Sequence, residues 1–209
     1  MLDIRFECRG VRADLYAACP TLAFRLAVTG PGTGAVHAVA LRCQIRVEPQ
    51  RRTYTAGEAD LLGDLFGDPT RWGETVKPFP FATVPVLVPR YTGATEIDVP
   101  VPCSYDLEVA AGKYLASLRG GEVPMLMLFS GTVFARTGDG LTATPVPWDR
   151  EARCGLPVAV WRELMDRYFP GCGWLRLRRD TLRSLQRYKA GRALATWDEV
   201  VEALLKEAT

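Results

Sequence analysis

Two stretches near the N-terminus restrict the fold more than any other part of the chain. In TLAFRLAVT, residues 21–29, Leu22, Phe24, Leu26 and Val28 alternate with Ala23, Arg25 and Ala27. In VHAVALRCQIRVEP, residues 36–49, His37, Val39, Leu41, Cys43, Ile45 and Val47 fall on one face, and Arg42, Gln44, Arg46 and Glu48 on the other. A period of two sends successive side chains to opposite faces of a sheet, so both stretches read as strands with one face buried. GPGTG, residues 30–34, lies between them and predicts an antiparallel hairpin.

The remaining patterns place helices beside these strands. Residues 3–9 read as a first strand with Ile4, Phe6 and Cys8 on one face. TAGEADLLGDLFG has Thr55 and Glu58 at capping-box spacing, an apolar stripe of Leu61, Leu62, Leu65 and Phe66, and Gly67 placed to end the helix. Pro78, Pro80, Pro85, Pro89, Pro100 and Pro102 then punctuate strand-like pieces. Proline cannot donate to a ladder, so these pieces are expected at sheet edges or in crossovers. SYDLEVAAGKYLASLRGG predicts a second helix on Leu107, Ala110, Ala111, Tyr114, Leu115 and Leu118. GEVPMLMLFSGTVFAR, residues 121–136, is apolar on both faces and reads as a core strand covered on both sides. After a Pro-rich link, LPVAVWRELMDRYF, DTLRSLQRYKA and TWDEVVEALLKEA are three further helices, the last with a capping box at Thr196 and Glu199.

The expected fold is therefore α+β: an antiparallel sheet or small sandwich with packed helices and a helical C-terminal segment. Residues 1–145 form the β-rich core and residues 146–209 the helical segment, packed on the core as one domain. With 48% apolar and 24% charged residues, the chain has enough apolar surface to bury and disorder is not expected. No apolar run reaches the roughly 18 residues a membrane span needs, and the N-terminus has no signal-peptide pattern, so the expected location is cytoplasmic. The six cysteines are then expected as thiols rather than disulfides.

No catalytic signature stands out. His37 is the only histidine and falls on the apolar face of its strand, where a core role is expected. GPGTG lacks the ending of a phosphate loop. Glu96 with Asp98, and Asp149 with Glu151, are spaced for a carboxylate pair but also fit solvated charges. No CxxC occurs, though folding could gather Cys8, Cys19, Cys43 and Cys103 into a thiolate or metal site. No cofactor is implied. The most lopsided charge lies in residues 174–192, where Arg176, Arg178, Arg179, Arg183 and Arg187 form a candidate partner-binding surface. A protein partner suits it better than nucleic acid, because the net charge is only +2 and no aromatic stacking motif is present.

Five segments carry a resemblance: GVRADLYAACPTLAFRLAVT, VHAVALRCQIRVEPQRRTY, LLGDLFGDPTRW, VPCSYDLEVAAGKYLASLRGGEVPMLMLFSGTVF and TWDEVVEALL. Together they resemble an uncharacterised actinobacterial family often encoded near [NiFe]-hydrogenase genes. The resemblance implies a hydrogenase-associated accessory or adaptor role, in assembly or maturation, with hydrogenase subunits or maturation factors as partners. It assigns no catalytic residues. The order of a long hairpin, a crossover and a helix ending in RGGEVPMLML is also similar to the SecB export chaperones, though their acidic surface is missing here. The competing expectation is a metal- or thiol-dependent enzyme or metal carrier that uses the cysteines with His37.

Overall fold

The computed structural model of the chain describes residues 3–30, 35–103, 107, 109–137, 140–172 and 177–208. The N-terminal patterns become β1 (Arg5–Ala13), β2 (Thr21–Thr29) and β3 (Ala35–Val47). Next come α1 (Ala56–Phe66), the short α2 (Trp72–Thr75), β4 (Phe79–Val88), β5 (Tyr91–Thr92) and β6 (Ala94–Pro102). Then α3 (Val109–Ser117) precedes β7 (Glu122–Thr137), β8 (Gly140–Pro145) and β9 (Glu151–Pro157). The chain continues through α4 (Val158–Tyr168), α5 (Arg179–Gly191) and α6 (Trp197–Glu207). The architecture is α+β, and it divides into two compact units, Met1–Gly171 and Cys172–Thr209.

In the first unit one sheet has the order β1-β2-β6 and the other runs β4-β3-β7-β8, with β5 on β3 and β9 on β7. All pairings are antiparallel. The hairpin expected around residues 30–34 does not form. β2 pairs with β1 and β6, whereas β3 pairs with β4, β5 and β7, so the chain leaves one sheet and enters the other between them. Residues 31–34 themselves lie outside the described residues. Both strands carry an apolar inner face, and facing those surfaces across a core buries more than pairing their edges. The proline-punctuated pieces fall where proline is tolerated, with β4 and β6 at sheet edges.

The core lies between the sheets. From one side come Ile4, Phe6, Leu22, Phe24, Leu26 and Val28, and from the other Val39, Leu41, Cys43, Ile45 and Val47, all buried. Phe6 stacks on Phe129 with ring centroids 4.2 Å apart, which joins β1 to β7 across the core. β7 is the expected core strand: Val123, Met125, Met127, Phe129 and Val133 are buried on its inner face, and Leu126 is buried on the other. At its middle Gly131 has φ +152, and a Cβ there would sit 2.0 Å from the Ala40 carbonyl oxygen. Only glycine lets β7 pass β3 so closely. His37 departs from its expected place. Val36 pairs with Ala135 and Ala38 with Phe134, so His37 is the unmatched residue of a β-bulge. The extra residue shifts the alternation, which leaves Val36 and Val39 buried and turns His37 to solvent.

The helices close the core and are tied to it by one buried ion pair. α1 carries the predicted capping box, with Glu58 N–H donating to Thr55 and Thr55 N–H donating to the Glu58 carboxylate at 3.0 Å. Leu62 is buried as the stripe requires, while Leu61 is exposed. Tyr114 of α3 is fully buried and shares a 2.8 Å hydrogen bond with Tyr54, among Phe66, Trp72 and Phe79. α4 contacts β1, β2 and β9 and buries Val158, Trp161 and Leu164. Arg52 donates to the Glu58 carboxylate at 2.9 Å, to the Gly120 carbonyl at 2.6 Å and to the Glu122 carbonyl at 2.8 Å. Burial pushes the Glu58 carboxyl up. The N–H groups of Arg119 and Thr55 and the charge of Arg52 outweigh that and hold it at about 2.

Two predictions test this frame. Gly131→Ala is expected to destabilise the protein by about 2 to 4 kcal/mol or to prevent folding, read by urea denaturation. The depressed acidity of Glu58 contributes stability that is complete above its ordinary value of 4.5 and is lost as pH falls towards about 2. That difference corresponds to about 3 kcal/mol. Glu58→Gln should therefore lower stability at neutral pH by roughly that amount. It should also flatten the acid limb of the stability profile, measured by equilibrium unfolding at several pH values.

Candidate functional site

Three strands bring three thiols together inside the first unit. β1 places Cys8 where its pairing with β2 jumps from Cys8 to Gly10. β3 places Cys43 opposite Phe129 of β7, facing the core and fully buried. β9 places Cys154 opposite Met125 of β7. The Cys8 thiol donates to the Gly10 carbonyl at 3.7 Å, and Cys8 and Cys154 both pack against the core that contains Cys43. The Cys154 side chain, and less strongly the Gly10 backbone, hold the Cys8 thiol below its ordinary value against the effect of its burial. Cys154 is raised by Cys8, by burial, and by Cys43 and Glu122. Burial, with Cys8 nearby, pushes Cys43 up to about 12.

Of the four cysteines singled out from the sequence, Cys8 and Cys43 share this cluster and the other two do not. Cys103 follows β6 and donates its N–H to Pro20 at 2.7 Å, beside Cys19 and Thr21 at the start of β2. Cys8 pairs with Leu26, five residues further along that strand, roughly 17 Å away at the ordinary rise per residue. Cys154 was missed because Pro145 and Pro147 make the region read as a link. The signal was there in EARCGLP, where Ala152, Cys154 and Leu156 alternate and Ala152 and Leu156 are buried. Among the described residues, no group of three or more His, Cys, Asp or Glu side chains is arranged to hold a metal ion.

Three of the four carboxylates in the pairs read from the sequence are held by arginines. Asp98 accepts from Arg12 at 2.8 Å and lies 3.5 Å from Arg25, and the Arg12 hydrogen bond holds its carboxyl below the usual range. Asp149 pairs with Arg150, and Glu151 with Arg153. The arginines fix Asp98 in its charged form rather than tuning it for proton transfer near neutrality.

The second unit is a helical pair. α5 lacks a side-chain cap, whereas α6 begins at Thr196, whose hydroxyl accepts from Glu199 N–H at 3.2 Å. Glu199 reaches back one residue beyond the expected box, to Ala195 N–H at 2.7 Å. Lys189 closes the connection by donating to the Leu194 and Ala195 carbonyls, and Arg192 pairs with Glu207. Val200 of α6 is buried, while Trp197 and Val201 are each 44% exposed. On α5, Arg183, Gln186, Arg187 and Ala190 line one shallow depression. Their i, i+3, i+4 and i+7 spacing places them on a single helix face. Arg178, Arg179, Arg183 and Arg187 are exposed, and Arg183 lies 4.0 Å from Asp180. Arg176, read with them from the sequence, lies outside the described residues.

The family model of DUF6084, a family of unknown function, matches residues 1–209, so the chain belongs to that family. No curated protein matches it. Among solved structures, a β-glucosidase from Kluyveromyces marxianus is similar over 75% of this chain at 8% identity, with a TM-score of 0.26. The chain spans 15% of that enzyme's length, and the likeness is too slight to define a shared fold.

The thiols are expected to differ sharply in accessibility. In the native protein, Ellman's reagent should modify exposed Cys172 first, whereas Cys43 and Cys103, both fully buried and near 12, should react only after unfolding. Time-resolved labelling with peptide mapping gives the order.

Proposed function

We propose that this DUF6084 member is a non-enzymatic adaptor that binds an acidic segment of a partner protein on the exposed face of α5. The observation that carries the reading is the run of Arg183, Gln186, Arg187 and Ala190 along one helix face. It forms a shallow depression lined by two arginines together with Gln186 and Ala190. Within α5, Arg179, Arg183, Arg187 and Lys189 stand against a single acid, Asp180, so the complementary surface is acidic. The partner we assign is a hydrogenase subunit or maturation factor, the class implied by the resemblance in residues, and the protein acts in the cytoplasm. Support for an adaptor rather than an enzyme comes from Asp98, Asp149 and Glu151, which are committed to arginines, and from His37, which stands on a bulge at the surface.

The second reading is a metal- or thiol-dependent enzyme or metal carrier, and what supports its thiol form is that Cys8 and Cys154 are half-buried rather than sealed in the core. Stoichiometric nickel, iron or zinc in protein purified without oxygen would move the assignment there.

Affinity capture of the tagged protein from hydrogenase-producing cells is expected to recover hydrogenase subunits or maturation factors. Arg183→Glu combined with Arg187→Glu should lower that recovery by roughly tenfold or more while leaving the thermal midpoint in place, since both residues are exposed. Undiminished recovery by the charge-reversed protein would remove α5 as the contact. Recovery of none of these proteins by the unaltered chain would remove the assigned partner.

A further inference from the structure

The second unit holds two helices of opposite charge. α5 carries Arg179, Arg183, Arg187 and Lys189 against Asp180, and α6 carries Asp198, Glu199, Glu202 and Glu207 against Lys206, so each is unbalanced by three charges in opposite senses. Within one copy their contacts gather at the C-terminal end of α5. Tyr188 donates to the Glu207 carboxylate at 3.3 Å, Lys189 Nζ lies 5.9 Å from the centre of the Trp197 ring, and Arg192 pairs with Glu207. Glu199 is used at the start of α6, where it accepts from Ala195 N–H. Among the described residues Arg179, Arg187, Asp198 and Glu202 have no ion pair, and Arg183 reaches Asp180 at 4.0 Å.

Both sets of uncommitted charges border apolar surface. On α6, Trp197, Val201 and Leu205 follow one another at four-residue spacing and are exposed. Asp198 and Glu202 stand seven and three residues before Leu205, on the flank of that stripe. On α5, exposed Leu182 has Arg179 three residues before it and Gln186 four after it, with Arg183 and Arg187 alongside. Apolar surface edged by carboxylates complements apolar surface edged by guanidinium groups. Every copy carries both surfaces, so two copies related by a two-fold axis satisfy both at once.

We propose that the second unit is a self-association module in which α6 of one copy lies along the arginine face of α5 of a second copy, with the reciprocal contact made by the other two helices. Trp197, Val201 and Leu205 cover Leu182 and the arginine stems, and Asp198 and Glu202 pair with Arg183 and Arg187. Two short helices per copy make a small interface of the weak, transient class, so the dimer forms reversibly as concentration rises and dilute protein is monomeric. Self-association depends on the charge of α5 and not on the identity of the partner assigned to it. An acidic partner segment and the α6 of a second copy compete for the same arginines.

The test is sedimentation velocity of the full chain in dithiothreitol, which keeps exposed Cys172 from linking copies. The mass should pass from monomer to dimer with concentration, and added salt should favour the monomer. Arg183→Glu with Arg187→Glu in one variant, and Asp198→Lys with Glu202→Lys in another, should each raise the dissociation constant by roughly tenfold or more. Mixed in equal amounts, the two variants should recover the association of the unaltered chain, because the two reversed helices then face each other, as do the two native ones. Val201→Lys, which puts a charge into the exposed stripe, should weaken association by itself. An unaltered chain that stays monomeric at every concentration overturns the proposal, as does a dimer that both reversals leave intact or a mixture of folded variants that does not recombine. Should a reversed variant fail to fold, Val201→Lys decides in its place, and association at unaltered strength overturns the proposal. A monomeric chain that still captures its partner leaves the adaptor reading standing, whereas a dimer that captures no hydrogenase protein removes only the assigned partner.

Discussion

The buried pair of Arg52 and Glu58 is the contact on which the first unit's assembly turns. Its side chains are 9% and 3% exposed, so each charge has given up most of its hydration. Attraction between the two does not by itself offset that loss. The remaining valences matter more: Glu58 accepts from Thr55 and Arg119 backbone N–H groups, and Arg52 donates to the Gly120 and Glu122 carbonyls. These bonds fix the start of α1, the exit from α3 and the entry into β7 at one point. The Pro49 to Arg51 turn after β3 leads straight into it. A site with so many reciprocal bonds does not tolerate partial substitution, because removing one member strands the others in the core.

How much of this was legible in the sequence follows from how local each signal is. Capping of α1 is decided within four residues, and Thr55 with Glu58 announced it correctly. Alternation in residues 21–29 and 36–47 is equally local, and it located β2 and β3 and their inner faces. Which strands pair is not local. GPGTG is compatible with a hairpin and with a crossover between sheets, and only the gain from opposing two apolar faces selects the crossover. The SecB likeness rested on the hairpin and loses that element. His37 shows the limit of alternation itself, since a single inserted residue in β3 reverses the inside and outside assignments around it.

The sites divide along the same line. Exposure of the α5 arginines could be read from helical spacing, because they neighbour one another on a single helix. The thiol cluster could not, because Cys8, Cys43 and Cys154 reach one place from β1, β3 and β9, and their association depends on the closing of two sheets. The sequence reading grouped Cys19 and Cys103 with Cys8 and Cys43 as thiols that folding could gather, but the register of β2 with β6 holds Cys19 and Cys103 at the far end of the sheet. Sight of β9 was the missing step, and prolines on its approach masked an alternation that its own residues carry.

The place of the thiols in the fold bears on what they can do. A strand at a sheet edge leaves backbone donors and acceptors unpaired, and proteins cover such edges rather than leave them open. Here α4 follows β9 directly and packs over β1, and Tyr168 near its end donates to the Ala17 carbonyl at 2.5 Å. The seam is thus covered by side chains and by a helix instead of being closed by a ladder. Such a joint opens more readily than a strand pair at the centre of a sheet, because fewer cooperative bonds must break together. Cys8 and Cys154, each half-buried on one strand of that joint, meet the solvent whenever the seam relaxes. Two cysteines in the ladder of β3 and β7 would stay sealed until the whole unit unfolded, as Cys43 does.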